Sequence, residues 1–142
     1  MSWWERQWYK MLGGNVAVGG NLSAANLLSG TYTPTLDNTT NISASTAYAC
    51  QYMRVGSVVT VSGKVDITAT ATGLIALGMT IPVASNFASN GQCGGAGVQA
   101  SDSTGQAGCF TADSTNDRAT FYANVASTSG RTWFFSFTYQ II

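Results

Sequence analysis

The sequence predicts an all-β fold, an antiparallel two-sheet sandwich of jelly-roll type with about eight strands. From residue 31 onward, apolar and polar side chains alternate with a period of two, in runs rich in β-branched and aromatic residues. Clusters of Gly, Asn, Asp and Ser interrupt these runs roughly every 12 residues. No helical period occurs in this part of the chain. A small barrel is the alternative arrangement.

The clearest predicted strand covers residues 57–71, where valine, isoleucine and alanine alternate with threonine, serine and charged side chains. Residues 48–55 form another candidate strand. Gly56 and Ser57 lie between the two and have the turn chemistry of an antiparallel hairpin. We therefore expect these two strands to be neighbours, with one buried face.

The final third of the sequence repeats this pattern. Residues 118–126 and 131–142 alternate aromatic and apolar with polar side chains, and residues 127–130 predict a second hairpin turn. The remaining predicted strands cover residues 31–36, 73–83, 96–100 and 106–112, with Pro82 at a strand end or edge.

Residues 1–12 predict a short amphipathic helix. Ser2 and Glu5 have capping-box spacing, and Gly13 can end the helix in a left-handed conformation. A helix this short is marginal in water, so its aromatic side must be buried against another surface. Because glycines follow at once, we expect it to dock on another protein rather than on its own domain. The anchoring side chains would be Trp3, Trp4, Trp8, Met11 and Leu12.

Residues 13–30 predict an extended Gly/Asn-rich arm. The triplet Gly-Gly-Asn occurs at residues 13–15 and again at 19–21. Each copy is a turn signal followed by small and apolar residues, a pattern too short to bury a core within one chain. The arm therefore needs neighbouring chains, and residues 31–142 form the β domain that follows it.

Composition favours a single, self-associating domain. The chain has 142 residues, of which only 8% are charged, against roughly a quarter in ordinary soluble proteins. Six basic and six acidic residues give a formal net charge of zero, so we expect no nucleic-acid partner. No run approaches the roughly 20 apolar residues that span a bilayer, so we also expect no membrane insertion.

Catalytic chemistry is hard to place in this sequence. It contains no histidine, which is the commonest general base and metal ligand. Asp113 and Asp117 could join a third carboxylate in a glycosidase-like site, but residues 113–117 are better explained as a tight hairpin turn. The same segment lacks the glycine and distal glutamate of a calcium loop. We expect no enzymatic activity, no metal and no cofactor.

The three cysteines, Cys50, Cys93 and Cys109, have no CxxC spacing. Cys93 could pair with Cys109 across two glycine-rich loops. The favoured interpretation is that all three are reduced and pack as small apolar side chains.

Carbohydrate binding is a plausible use of the uncharged polar surface. Exposed aromatic rings stack on sugar faces, and Asn, Gln and Ser side chains bind hydroxyls without desolvating a charge. The candidate contacts are Tyr32, Tyr48, Phe87 and Tyr122, together with the loop at residues 86–92. For each tyrosine, the alternative is a ring at a subunit interface or a sheet edge.

Residues 20–36, 52–65 and 77–87 resemble the C-terminal β domain of tailed-phage fibre and virion-surface proteins. In such proteins a GN-V-x-V-GGN-L stretch commonly leads into a trimeric stalk, and the β domain forms a distal knob. The resemblance covers residues 20–142 and implies a homotrimer without catalytic residues. The implied stalk contacts are Val16, Val18, Leu22 and Leu27.

The resemblance also implies a place in the virion, after assembly in the host cytoplasm. Since the arm is short where fibres usually carry a long shaft, we expect a short spike anchored to a capsid or tail component by residues 1–12. Its expected function is attachment to host-surface glycans. The alternatives are a capsid cement protein, which stabilises the shell without binding a receptor, and a secreted glycan-processing enzyme.

Overall fold

The structure is a computed structural model that describes residues 27–100 and 105–142. These residues form an all-β, antiparallel fold, as the sequence predicts, with ten strands rather than about eight. The strands are β1 (Leu27–Tyr32), β2 (Leu36–Thr40), β3 (Ile42–Ala47), β4 (Cys50–Val55), β5 (Val58–Ala69), β6 (Gly73–Thr80), β7 (Cys93–Gln99), β8 (Ala107–Asp113), β9 (Arg118–Val125) and β10 (Arg131–Gln140). Apart from a 3₁₀ turn at Asn90–Gln92, the described residues contain no helix. The predicted anchor helix and residues 13–26 of the predicted arm lie outside the described residues.

The strands belong to one strongly curled sheet. Its hydrogen-bonded order is β1-β4-β5-β10-β7-β8-β9-β6-β2, and β3 pairs with β5 beside this path. Only Asn41 separates β2, which pairs with β6, from β3, which pairs with β5. Through Asn41, the β2 end of the sheet is therefore linked to β3, which lies beside β5. The sheet thus encloses one interior. The predicted division into two packed sheets stays a prediction.

Asn41 forms the corner that turns the chain from one part of the sheet to the other. Its φ of 54° lies in the left-handed region, which asparagine tolerates better than most residues. Its side-chain amide donates to the carbonyl of Ala71 at 2.8 Å and accepts from the N–H of the same residue at 2.8 Å. These bonds hold the corner against the connection between β5 and β6.

The interior is filled by aromatic rings, some from paired strands and others from strands farther apart in the sheet. Phe110 lies 4.9 Å from Phe121 and 4.8 Å from Phe137, and Phe121 lies 5.2 Å from Trp133, between ring centroids. Each such pair contributes roughly 1 kcal/mol beyond its buried area. The inward positions of β5, β9 and β10 are those that the alternating pattern predicts.

The hairpin of β4 and β5 is confirmed. Val55 pairs with Val58, and Gly56 has a φ of 62° in the turn between them. This left-handed conformation carries little cost for glycine.

The second predicted hairpin is wrong. β9 pairs with β6 and β8, whereas β10 pairs with β5 and β7. Residues 126–130, which lie at the surface, instead join two strands that are not paired, and Phe121 of β9 meets Trp133 of β10 in the interior. The reason is burial: in a hairpin the aromatic faces of the two strands would lie side by side, whereas here they cover each other.

Three further differences concern the region before β4. The predicted strand at residues 31–36 is interrupted, because β1 ends at Tyr32 and β2 begins at Leu36, with Pro34 between them. Proline lacks the N–H that a ladder needs. β1 also begins at Leu27, inside the predicted arm, and β3 was not predicted.

All three cysteines are free thiols. Cys50 and Cys93 are buried and Cys109 is exposed. Burial raises the pKa of the Cys93 thiol to about 12, so this side chain is a neutral apolar group at physiological pH.

Candidate ligand-binding groove

A groove of about 570 Å³ lies on the outer surface formed by β2, β8, β9 and the loop before β7. Eight of its lining residues carry hydroxyl, amide, carboxylate or guanidinium groups. They are Thr39, Ser89, Asn90, Thr111, Asp113, Ser114, Arg118 and Thr120, and Tyr122 adds an aromatic ring. The groove therefore combines one ring with a polar lining.

β9 supplies one side of the groove through its alternating pattern. Successive side chains of a strand point to opposite faces, so the residues that alternate with the buried Ala119, Phe121 and Ala123 belong to the outer face of the sheet. These are Arg118, Thr120 and Tyr122, of which Thr120 is covered by its neighbours and only 4% exposed. Their cross-strand partners on β8 are Asp113, Thr111 and Cys109, which extend the same outer face.

Arg118 lies between two carboxylates. Its Nε donates to Asp113 at 2.8 Å, and its second guanidinium nitrogen pairs with Asp37 on β2. Burial alone would raise the pKa of the Asp113 carboxyl, but hydrogen bonds from Asn116, Arg118 and backbone N–H groups outweigh it and lower that pKa. The network thus holds the guanidinium of Arg118 between two carboxylates.

Gly78 leaves the space that this arrangement needs. A Cβ atom at Gly78 would lie 2.6 Å from Cζ of Arg118, closer than side-chain carbons approach other atoms. The guanidinium therefore crosses β6 at a position where only glycine fits without displacing it.

Residues 113–117 form the tight turn that the sequence predicts. Asp113 accepts the N–H groups of Thr115 at 3.1 Å and Asn116 at 3.2 Å. Asp117 has a φ of 48° and accepts the N–H groups of Ser85 and Phe87, each at 3.1 Å. Both aspartates considered for catalysis are therefore engaged in holding loops.

The loop at residues 86–92 forms the opposite wall of the groove. Gln92 accepts the N–H groups of Ala88 at 2.6 Å and Ser89 at 3.0 Å, which closes the 3₁₀ turn. Because Asp117 holds its start and Gln92 its end, the loop places Ser89 and Asn90 at the groove.

Phe87 does not point into this groove, contrary to the prediction that it contacts a ligand. Its ring is only 4% exposed and packs edge-on against Tyr139, with 5.7 Å between centroids. The apolar ring is buried because the loop folds back over the core, so Phe87 anchors the loop from below.

Tyr122 is the one predicted aromatic contact that lines the groove. Its side chain is 36% exposed and also borders a shallower depression of about 350 Å³, lined by Leu74, Cys109 and Asn124. The ring therefore forms a ridge between a polar and a more apolar hollow. Such a ridge can contact the face of one sugar ring while neighbouring groups bind its hydroxyls.

Tyr32 and Tyr48 lie elsewhere. Tyr32 packs edge-on against Tyr52 at 6.1 Å, and its buried hydroxyl has no hydrogen-bond partner among the described residues. The hydroxyl of Tyr48 donates to Asp66 at 2.7 Å, and Nζ of Lys64 lies 4.3 Å from the centre of its ring. Neither ring lines the groove around Tyr122.

The predicted anchor and stalk residues fall mostly outside the described part of the chain. This holds for Trp3, Trp4, Trp8, Met11, Leu12, Val16, Val18 and Leu22. Leu27 is described and is exposed at the start of β1.

Sequence reasoning missed Arg118 and Thr111 as groove residues, and it missed Asp37 as a carboxylate that pairs with Arg118. Alternate residues of a strand share a face, so the spacing from Tyr122 could have identified Arg118 on the same side of β9. Asp37 carries no such signal, because it is 81 positions from Arg118 and meets it only in the folded sheet.

Residues 27–100 and 105–142 contain no group of three or more His, Cys, Asp or Glu side chains that could hold a metal ion. Over the same residues, no helix has the length and apolar character needed to cross a membrane.

Comparisons with known proteins add no relative: no protein-family model, no curated protein and no solved structure matches this chain.

Proposed function

We propose that this chain is a phage virion structural protein, a short trimeric spike whose β domain attaches to host-surface glycans through the groove around Tyr122. The observation that carries the proposal is the partly exposed ring of Tyr122 beside a groove lined by hydroxyl and amide groups. Sugars offer the matching chemistry, since one face of the ring is apolar and its rim carries hydroxyls.

Binding in this groove would involve two kinds of contact. The ring of Tyr122 stacks on a sugar face and contributes roughly 1 kcal/mol. Ser89, Asn90 and Thr111 exchange hydrogen bonds with sugar hydroxyls, each adding about 1 kcal/mol net. One site of this kind binds weakly, and three sites on a trimer would raise the apparent affinity by acting together.

The trimer and the anchor come from the sequence and its resemblance to virion-surface proteins. In this proposal, residues 1–12 bind a capsid or tail component, residues 13–30 form the short stalk and the jelly-roll β domain points outward. The groove acts in binding alone, since the carboxylates of Asp113 and Asp117 already hold the loops around it.

A capsid cement protein is the second candidate function. It is favoured by the exposed apolar side chains of β1 and β4, including Leu27 and Met53, which suit contact with other protein subunits. If the protein is a capsid cement, particles that lack it should burst at lower temperature. If it is a spike, those particles should stay intact but adsorb poorly to the host.

The test is binding of the purified full-length protein to an array of bacterial lipopolysaccharide and capsular polysaccharides. We expect the wild type to bind a subset of these glycans, and Tyr122→Ala to lose roughly fivefold in affinity at each site through the missing stacking surface. Tyr122→Phe keeps the ring and should lose less.

Val98→Ala serves as the matched control, because Val98 is an exposed apolar residue outside the groove. Equal affinity of Tyr122→Ala and the wild type for every bound glycan would refute the proposed site.

A further inference from the structure

Four large apolar side chains are exposed together on one face of β1, β4 and β5. The register places Leu27 beside Val55 and Val55 beside Val58, and Met53 lies two residues before Val55 on β4. Their exposed fractions are 59% for Leu27, 43% for Val55, 45% for Val58 and 55% for Met53. We call these four residues the β1/β4 patch.

The part of this face around the patch has no charged side chain. Its other positions are Ser29 and Thr31 on β1, Gln51 on β4, and Thr60 and Ser62 on β5. The first charged residue on the same face of β5 is Lys64, two residues beyond Ser62. Solvent-facing edges of sheets commonly carry lysine or other charges, which prevent association with other chains. An uncharged area with four exposed apolar side chains lacks this protection and is typical of a contact surface.

β1 itself is poorly covered within one copy. Among the described residues, it pairs only with β4, and five of its six residues are exposed. Leu28, on the opposite face from the patch, is exposed as well. A strand exposed on both faces gains little from burial, so contacts from another chain would stabilise it.

The chemistry of the patch fits a second copy of this chain. A charged partner would have to leave its charges against a surface that cannot solvate them, whereas another copy offers an equally uncharged surface. Leu27 also marks where residues 1–26 enter the domain, and these include the predicted stalk residues Val16, Val18 and Leu22. Copies joined through that stalk would have their patches close together.

We infer that the β1/β4 patch of each copy packs against the same region of neighbouring copies in the trimer. The inference rests on the proposed function for the number of copies, and it adds the surface that joins them. Two strands, β10 and β7, lie between the patch strands and the groove strands β8 and β9. Self-association through the patch therefore leaves the groove around Tyr122 open to ligand.

The test compares the full-length wild type with the double variant Met53→Lys/Val58→Lys by sedimentation velocity. We expect a trimer for the wild type and at least a hundredfold weaker association for the variant, because two ammonium groups would be desolvated at each contact. The milder variant Met53→Ser/Val58→Thr should weaken association less. Far-UV circular dichroism verifies that each variant is folded.

The matched control is Val98→Lys/Phe134→Lys. These two exposed apolar side chains are cross-strand neighbours on β7 and β10, outside the patch. We expect this control to remain trimeric. A wild type that is monomeric, as it would be if residues 1–26 covered their own patch, overturns the inference, and so does a folded Met53→Lys/Val58→Lys trimer.

The outcome is separable from that of the proposed glycan function. A patch-dependent trimer that binds no glycan keeps the interface and refutes attachment. A monomeric wild type that binds glycan through Tyr122 refutes the interface and keeps attachment.

Discussion

Gly78 is the residue on which the charged end of the groove depends. We predict that Gly78→Ala displaces the guanidinium of Arg118, because the new Cβ would lie 2.6 Å from Cζ. Since the far end of a flexible side chain can move, the expected cost is the lost ion pairs with Asp37 and Asp113, roughly 1 kcal/mol in the free energy of unfolding. Urea denaturation measures this loss.

The control for Gly78→Ala is Gly94→Ala, which also adds a methyl group to a strand. A Cβ at Gly94 would meet no atom within 4 Å, so this variant should be as stable as the wild type. If both variants lose the same stability, the close approach of Arg118 is not the cause.

The carboxyl groups of Asp113 and Asp66 make the free energy of unfolding depend on pH. The pKa of Asp113 is lowered as described above, and hydrogen bonds from Thr132 and Tyr48 lower that of Asp66. Both carboxyls therefore have a lower pKa folded than unfolded, where it is about 3.9. The stability they contribute is fully present above that value and is lost as pH falls through the folded pKa.

We therefore predict that the free energy of unfolding falls below about pH 4. Asp113→Asn should have a shallower decline, because the amide cannot be protonated in this range. Urea denaturation between pH 2 and pH 6 checks the prediction, and identical pH profiles for the two proteins would contradict it.

At the residue scale, the sequence predicts Tyr122 as a sugar contact because Ala119, Phe121 and Ala123 form the buried face of its strand, and this role stays a prediction. It does not predict Asp37 beside Arg118, since that contact depends on which strands become neighbours. The prediction for Phe87 is wrong for a related reason: Asn and Ser around it indicate an exposed loop, but its own ring is buried under that loop.

Among the elements, β7 and β8 are adapted to the ring of Phe121. Gly97 pairs with Gly108, and a Cβ at these positions would lie 2.7 Å and 2.4 Å from that ring. Because neither glycine has a Cβ atom, the ring of Phe121 packs closely against the backbone of both strands.

We predict that Gly108→Ala destabilises the protein by about 1–3 kcal/mol, because the added methyl forces apart two strands of the core. The carbonyl oxygen of Tyr122 would also lie 2.4 Å away, so moving the ring alone does not relieve the clash. Thermal unfolding measures the effect against Gly94→Ala on β7. A Gly108→Ala variant as stable as that control would show that the strands adjust freely.

The pairing of a strand can be predicted from the sequence where a local turn determines it, and not where contacts in the folded core determine it. β4 and β5 were predicted as a hairpin because a two-residue turn joins them, so local chemistry determines their pairing. β9 and β10 also flank turn-forming residues, but the burial of Phe121 against Trp133 decides their positions. Polar β3 has a weak pattern of its own and is held by pairing with β5.

For the whole molecule, the described surface divides into regions with different chemistry. The uncharged β1/β4 patch suits contact between copies, and the polar groove around Tyr122 suits a hydroxyl-rich ligand. Because separate strands carry them, several grooves could face outward from one assembly. That arrangement would let weak individual sites hold a repetitive surface polysaccharide.

The most direct test of glycan attachment is a nuclear magnetic resonance titration. The isotope-labelled full-length protein would be titrated with short oligosaccharides prepared from a polysaccharide that it binds on the array. We predict that the largest chemical-shift changes occur at Ser89, Asn90, Thr111 and Tyr122, and that Tyr122→Ala suppresses them. Saturable shifts confined to other surfaces, with these four residues unchanged, would contradict the account.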